Sequence, residues 1–440
     1  MKNTSFVWHP NTQMNEWESF GEIKSAKGVW LTDSKGKKMI DAVASMWCNV
    51  WGHSNSELVK TIVNQSKKLQ HSSMFNLTNE PAENLAKNLV EISPGMHRVF
   101  YSDNGSSAME IAIKIVLQYW KNIGEKNKTK IATLENGYHG DTFGAMSVGY
   151  VPEFFGKFKK QLFTTLQFPV PNKYRIPKGH SFSDYQNYCL EKIEKKLSKS
   201  NNIAAFIMES GAQVAGGVII FPKGFQKKIG QICKKHDVLF VLDEIATGFG
   251  RLGPMLQYEE EQSIPDIVAY GKMLTGGYLT MAATLTSKKI YDSFLGEFND
   301  WKHLFHGHTY TGNPIAAAVA NKNLEMYQKN HLIEKIQKTS RVFKKYFDEI
   351  AEIDIVGDIR HKGMLMGIEL VKDQKKKIPI HPKKSINKIF FEEGRQQGIY
   401  LRTLDNIVMI VPPLIISEKE LELLLNRTIK TIQTARSQVI

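Results

Sequence analysis

The chain has 440 residues, of which 42% are hydrophobic and 23% charged, an ordinary composition for a globular protein. A membrane-spanning helix needs about 18 consecutive apolar residues, and no run in the sequence approaches that length. Its net charge of +14 comes from lysines scattered in short runs, without the motif or clustering of a nucleic-acid binder. The polar N-terminal residues are unlike a signal peptide, and Cys48, Cys189 and Cys233 lack metal or redox spacing, so we expect a cytoplasmic protein with no nucleic-acid, membrane or metal partner.

The first 330 residues alternate between strand-like and helix-like patterns. A hairpin is predicted in "GVWLTDSKGKKMIDAV" around the turn at 33–36. Helical stretches then separate several short apolar runs, and the helix "SSAMEIAIKIVLQYWKNIG" places Ile111, Ile115 and Tyr119 four residues apart on one face. Buried runs that alternate with helices indicate an α/β fold with a mostly parallel sheet sandwiched by helices. The apolar runs lie at 98–103, 130–135, 203–210, 238–244 and 266–271.

The pattern changes beyond about residue 330. A helix is followed by the strand "GMLMGIELV", a second helix, the paired strands "IYLRTL" and "IVMIVPP", and a last helix. This order predicts a smaller α+β domain. We therefore predict an N-terminal segment at 1–55 that packs with the small domain, a large domain at 56–329 and a small domain at 330–440.

Polar residues follow several of the apolar runs, where ligands bind in an open parallel sheet. Gly105 and Ser106 open a helix, and its free N–H groups suit a phosphate, although an ordinary helix cap gives the same pattern. Tyr138 and His139 lie between glycines. An aromatic ring there can lie flat on a planar ligand, but a plain loop looks similar.

An acid and an amine end two successive apolar runs. Asp243 ends "VLFVLDE", and Lys272 follows the next run, "DIVAYG". Alone, the acid could cap a loop and the lysine could point to water. Together they reach the same edge of the sheet. Pyridoxal 5'-phosphate (PLP) needs such a set, because it is held as a Schiff base by lysine, with an acid at its ring nitrogen and a phosphate site nearby. We therefore predict PLP bound to Lys272, with an amine pKa lowered by desolvation.

Two further motifs point elsewhere. "GFGRLG" (248–253) matches the dinucleotide fingerprint, but Pro254 and Pro265 interrupt the helix that it should open. His303, His306 and His308 lie close together without a neighbouring cysteine or carboxylate ligand. We expect neither a nicotinamide cofactor nor a metal.

Five segments carry a family resemblance: "SDNGSSAMEIAIK", "NGYHGDTFGAMSV", "VLDEIATGFGR", "GKMLTGGYL" and "HGHTYTGNP". In order and spacing they resemble the signature segments of class III aminotransferases, and the likeness runs from about residue 6 to the C-terminus. "WHPNTQM" and "QYWKNIG" are similar to the members that aminate 8-amino-7-oxononanoate in biotin biosynthesis. The resemblance implies a fold-type I PLP-dependent homodimer with active sites between subunits. It also implies a ping-pong transfer that yields 7,8-diaminononanoate.

The resemblance further implies roles for single residues. Lys272 forms the Schiff base, Asp243 pairs with the ring nitrogen and Tyr138 stacks on the ring. Arg402 receives the carboxylate of the ketone substrate, which suits a bidentate guanidinium. The phosphate is held by Gly105 and Ser106 together with His308 and Thr309 of the partner subunit, and the substrate-binding residues are Met46, Trp47, Asp141, Gly307, Arg402 and Asn11.

The amino donor stays open. The resemblance gives S-adenosylmethionine as the default, but Met46, Met409, Ser210 and His308 differ from the members that use it. Asn11 also replaces the usual aromatic residue. Lysine is therefore an alternative donor, and another ω-aminotransferase acting on ornithine or 4-aminobutyrate is an alternative function.

Overall fold

The computed structural model describes residues 5–16, 22–380 and 386–440. In these residues the strands are β1 (Ile23–Lys27), β2 (Trp30–Asp33), β3 (Lys38–Asp41), β4 (Arg98–Ser102), β5 (Lys130–Leu134), β6 (Leu166–Phe168), β7 (Ile203–Glu209), β8 (Ala212–Gln213), β9 (Ile219–Ile220), β10 (Leu239–Asp243), β11 (Ile267–Tyr270), β12 (Ala282–Thr286), β13 (Val356–Lys362), β14 (Leu365–Asp373), β15 (Ile378–Pro379), β16 (Ile399–Tyr400), β17 (Arg402–Leu404) and β18 (Ile407–Ile410).

The α-helices of the same described residues begin with a one-turn segment at the N-terminal side and end with a 22-residue C-terminal helix. They are α1 (Ala44–Trp47), α2 (Ser56–Lys68), α3 (Glu80–Glu91), α4 (Gly105–Asn122), α5 (Phe143–Val148), α6 (Pro152–Phe155), α7 (Phe182–Leu197), α8 (Phe225–Lys235), α9 (Gln257–Glu260), α10 (Lys288–Asp292), α11 (Pro314–Lys329), α12 (Leu332–Thr339), α13 (Phe347–Ala351), α14 (Ile386–Gln396) and α15 (Glu418–Val439).

The central sheet has seven strands within the described residues, in the order β4-β12-β11-β10-β7-β5-β6. Neighbours from β11 to β6 run parallel, whereas β12 runs antiparallel to both β11 and β4. Every residue of β7, β10 and β11 is buried, as continuous apolar runs require when both sheet faces are covered. The mostly parallel α/β fold is therefore confirmed.

Helix α4 shows why the sheet edge carries a site. The Asn104 side chain accepts a hydrogen bond from the Ser107 N–H (2.9 Å) and caps the helix. The predicted apolar face is buried against β11 and β12. Since α4 starts just after the end of β4, its N-terminus lies at the carboxyl edge of the parallel strands. The buried residues of this face include Ala108, Ile111, Ala112, Ile115 and Tyr119.

The C-terminal strands form an antiparallel sheet in the order β13-β14-β18-β17. The prediction that "IYLRTL" is a single strand is wrong. Its first residues form β16, which pairs in parallel with β3, and only β17 pairs with β18. The chain crosses between two sheets at Leu401, so the N-terminal hairpin and the C-terminal region share a sheet. The predicted domain boundaries stay predictions.

The "GFGRLG" segment forms a loop that reaches the C-terminal region. Gly250 and Gly253 have φ of +84° and +115°, and Arg251 between them is buried. The Arg251 Nη1 donates hydrogen bonds to the carbonyls of Met364 (3.1 Å) and Pro412 (2.8 Å). Burial lowers the pKa of Arg251 to about 10. Of the helices in the described ranges, none has the length and apolar character needed to cross a membrane.

Candidate active site

A cavity of about 170 Å³ opens where β7, β10 and β11 end. The carboxyl edge of an open parallel sheet is where ligands bind. The structure therefore brings the central predicted residues together, although they come from five separate segments of the chain. Those that line the cavity are Trp47, Gly105, Ser106, Tyr138, Asp243 and Lys272.

Asp243 is the last residue of β10 and only 4% exposed. Its Oδ1 accepts a hydrogen bond from the Ile245 N–H (2.9 Å), and its Oδ2 lies 2.8 Å from the Nδ1 of His139. Because an ionised carboxylate only accepts, Nδ1 of His139 carries the proton. In the described part of the chain, the buried Nε2 of His139 has no hydrogen-bond partner. An acid held at both oxygens suits a cationic ring nitrogen.

Lys272 begins a 3₁₀ turn immediately after β11 and Gly271. Burial lowers the pKa of its amine below the ordinary lysine value, while the nearby Asp243 carboxylate acts against that shift. Its Nζ lies 5.7 Å from the centroid of the Trp47 ring. A lowered pKa leaves more of the amine neutral, which is the form that adds to a carbonyl.

The N-terminus of α4 and a tight turn beside it form a cradle for an anion. A Cβ added at Gly105 would lie 2.9 Å from the Ile245 Cγ2, and one at Gly140 (φ +124°) would lie 2.0 Å from the Ser106 Oγ. The Ser106 Oγ accepts a hydrogen bond from the Asp141 N–H (3.2 Å). Free N–H groups and a hydroxyl at a helix N-terminus fit a phosphate.

Tyr138 is held on both its ring and its hydroxyl. The ring stacks on Phe155, with centroids 6.1 Å apart and an interplanar angle of 18°. The hydroxyl donates a hydrogen bond to the Asp141 Oδ1 (3.1 Å). Burial raises the pKa of Tyr138, so the phenol stays protonated and its ring is a fixed aromatic wall of the cavity.

Sequence reasoning missed Glu209 and did not assign a role to His139. Glu209 ends β7 opposite Asp243 in the β7–β10 ladder and lines the cavity. Its Oε1 accepts from the Tyr138 N–H (3.2 Å) and its Oε2 from the Val214 N–H (2.9 Å). Burial raises the pKa of Glu209 to about 7. The signal was present, because the apolar part of "IAAFIMES" is followed directly by a carboxylate, Glu209, as that of "VLFVLDE" is by Asp243.

The predicted substrate residues Met46, Trp47 and Arg402 lie together. The Arg402 Nη1 donates a hydrogen bond to the Met46 Sδ (3.3 Å). The turn that carries Met46 and Trp47 is strained, since Ala44, Ser45 and Trp47 have φ of +47°, +62° and +64°. Each such residue costs about 1–2 kcal/mol, so other contacts must hold this conformation.

Seven predicted residues do not line the Lys272 cavity of the same protomer: Asn11, Met46, Asp141, Gly307, His308, Thr309 and Arg402. Asn11 is exposed, and Gly307 lines a separate cleft of about 1380 Å³. His308 bonds to Thr311. The roles of these residues, like those of the residues that line the cavity, therefore stay predictions. Within the described ranges, no three His, Cys, Asp or Glu side chains are grouped as a metal site would need.

Known proteins share this architecture. The sequence profile of the class III aminotransferases matches residues 13–432. The adenosylmethionine-8-amino-7-oxononanoate aminotransferase of Geobacter sulfurreducens is 40% identical over 433 residues, 97% of this chain and 96% of that protein. The crystal structure of the protein of that name from Methanocaldococcus jannaschii has a TM-score of 0.92 and 41% identity, over 98% of this chain and 97% of that one. The omega transaminase from Pseudomonas jessenii in complex with PMP has a TM-score of 0.93 and 29% identity, over 99% and 97%. The chain therefore belongs to the class III aminotransferase family, whose members are PLP-dependent transaminases.

Proposed function

We propose that this protein transfers an amino group to 8-amino-7-oxononanoate and forms 7,8-diaminononanoate in biotin biosynthesis. The observation that carries the proposal is the placement of Lys272 and Asp243 at the ends of adjacent parallel strands, in one cavity. Relatives that cover nearly the whole chain at about 40% identity bear the name of this reaction. S-adenosylmethionine is the proposed donor, and lysine is the alternative.

Each residue of the cavity has a defined task in this proposal. When bound, PLP supplies an electron-accepting ring and a carbonyl that exchanges amino groups. Lys272 would hold the cofactor covalently through Nζ. Once the amino group of the donor has displaced that nitrogen, the freed Lys272 amine would carry the proton to and from the substrate carbon. Asp243 keeps the ring nitrogen protonated, and Tyr138 supports the ring. The N-terminus of α4 at Gly105 and Ser106 binds the phosphate.

Arg402 is the proposed receptor for the substrate carboxylate. Its guanidinium lies beside Met46, the residue that precedes Trp47 of the cavity. An arginine can bind a carboxylate through two parallel hydrogen bonds, which fixes the orientation of a long substrate. The ketone carbon is then held where Lys272 can act on it.

A homodimer and a cytoplasmic location belong to the same proposal. Large apolar side chains are exposed on the segment that leads to His308 and Thr309. Phe298 is 76% and Trp301 60% exposed. Exposed apolar patches of this kind mark association surfaces. The second subunit would cover this patch and bring His308 and Thr309 of the partner subunit to the phosphate.

The test follows the absorbance of the bound cofactor while each donor is added separately to the holoenzyme. We expect S-adenosylmethionine to convert the cofactor, and added 8-amino-7-oxononanoate to restore the starting spectrum with release of 7,8-diaminononanoate. Conversion by lysine alone moves the donor assignment to lysine. Conversion by ornithine or 4-aminobutyrate, with no turnover of the ketone, contradicts the proposed function.

A further inference from the structure

Asp41 is a fully buried carboxylate that does not line the Lys272 cavity and has no task in the proposed chemistry. Its Oδ1 accepts a hydrogen bond from the Val43 N–H (3.2 Å). Its Oδ2 accepts one from the Ser45 N–H (2.7 Å) and lies 3.0 Å from the Nε2 of His53. A buried charge is costly unless its hydrogen bonds are made. Here they are made with two backbone N–H groups of one short turn, with the Ser45 hydroxyl (3.3 Å) and with His53.

That turn has a conformation that its sequence does not favour. Ala44, Ser45 and Trp47 all have positive φ, in the region that favours glycine. Such strain persists only where the surroundings hold it, and it concentrates at functional sites. The two oxygens of Asp41 bind the N–H groups at the start of the turn, so they are contacts that hold it.

The end of the turn forms two contacts of the site. Met46 lies against Arg402, with 3.3 Å between Sδ and Nη1, and the Trp47 ring lies 5.7 Å from the Lys272 Nζ. The strand that carries Asp41, β3, also pairs with β16, the strand just before Arg402. Asp41 is in register with Tyr400 in the β3–β16 ladder, two residues before Arg402. The residues on either side of Asp41 make the backbone link, since the Ala42 N–H donates to the Tyr400 carbonyl (3.1 Å) and the Ile40 N–H to the Gly398 carbonyl (3.0 Å).

We propose that Asp41 is a positioning residue, whose carboxylate holds the strained turn. The turn then fixes Met46 against Arg402 and Trp47 at the wall of the cavity. The inference rests on the proposed function, since it assigns the substrate carboxylate to Arg402. Loss of the carboxylate lets the turn relax toward negative φ. The binding of the ketone then suffers more than the chemistry at Lys272 does.

The test compares Asp41→Asn with Asp33→Asn in the holoenzyme. Asp33 is a matched control, because it is also buried, in the same hairpin, and accepts hydrogen bonds from the N–H groups of Lys35 and Lys37 (both 2.9 Å). It also contacts a basic side chain, Arg395 (2.8 Å), as Asp41 contacts His53. We expect Asp41→Asn to raise KM for the ketone about tenfold or more, with unchanged cofactor content, because small misplacements of a binding group are expensive. Asp33→Asn should leave KM unchanged.

A second substitution separates positioning from a general loss of stability. Glycine at position 45 adopts positive φ without strain. Adding Ser45→Gly to Asp41→Asn should therefore lower KM for the ketone part of the way back to the wild-type value. A KM that is unchanged in Asp41→Asn, or that is raised but not recovered, overturns the inference. A wild-type protein that does not aminate the ketone contradicts the proposed function instead.

The inference stays testable if Asp41→Asn does not fold. Ser45→Gly and Ser45→Ala both lose the hydroxyl and leave Asp41 in place, and they differ in their tolerance of positive φ. We expect Ser45→Gly to have the higher Tm and the lower KM for the ketone. The reverse order in either quantity means that the turn is not held in the strained form, and it overturns the inference.

Discussion

Replacing Asp243 by asparagine removes the charge at the centre of the proposed site with almost no change in shape. Asp243 accepts one hydrogen bond at each oxygen, from the Ile245 N–H (2.9 Å) and from His139 (2.8 Å). Asparagine has one acceptor oxygen, so one buried donor loses its partner, at a cost of about 1–3 kcal/mol of folding stability. Loss of a preorganised charge in a closed site lowers kcat by about 10²–10³-fold, or roughly 2.7–4 kcal/mol.

The assay measures kcat and Tm of the PLP-saturated protein beside a matched variant, Asp266→Asn. Asp266 accepts a hydrogen bond from the Phe240 N–H (2.9 Å) just before β11, at the opposite edge of the same sheet. Asp266→Asn keeps an oxygen that can accept from the Phe240 N–H, so it should keep both Tm and kcat close to the wild-type values. If Asp243→Asn loses no more kcat than Asp266→Asn does, the carboxylate has no role in the chemistry, and the assignment of the ring-nitrogen partner is refuted.

Three further predictions use single substitutions. Lys272→Ala should abolish the covalent label left by borohydride reduction of the holoenzyme, and a label that persists on another lysine contradicts the assignment. Arg402→Ala should raise KM for the ketone much more than KM for the donor, whereas equal effects exclude it as the carboxylate receptor. Burial raises the pKa of Glu209 from 4.5 to about 7. The protonated Glu209 carboxyl therefore contributes its full share of the folding stability below pH 4.5, and this share is lost as the pH rises through 7. The Tm of the apoprotein should therefore fall relative to Glu209→Gln between about pH 5 and pH 8, and parallel curves would disprove the shift.

The parts of the fold that sequence predicts best are those with strong local patterns. The runs that end at Asp243 and before Lys272 are fully apolar, so both the strands and the residues at their ends can be located. Helix α4 combines a capping asparagine with an apolar face of helical period. Local propensity and tertiary burial agree in these elements, and the prediction holds for that reason.

The parts that sequence misses depend on contacts between distant segments. Nothing local predicts positive φ at Ala44 or Ser45, because tertiary hydrogen bonds impose it. The run "IYLRTL" looks like one strand, yet β3, some 360 positions earlier, captures its first two residues. The role predicted for His308 involves a partner subunit, and within one chain this residue bonds to Thr311 of its own loop.

Arg251 has a consequence for how the chain folds. Its guanidinium is buried, and it belongs to the loop at 248–253, in the part of the chain before residue 329. Both acceptors of its Nη1, the carbonyls of Met364 and Pro412, belong to the C-terminal region. The earlier part of the chain alone would have to bury a charged group without these oxygens, which is costly. We therefore expect the earlier part of the chain to depend on the C-terminal region for its final structure, because among the described residues only these two carbonyls accept hydrogen bonds from the buried guanidinium.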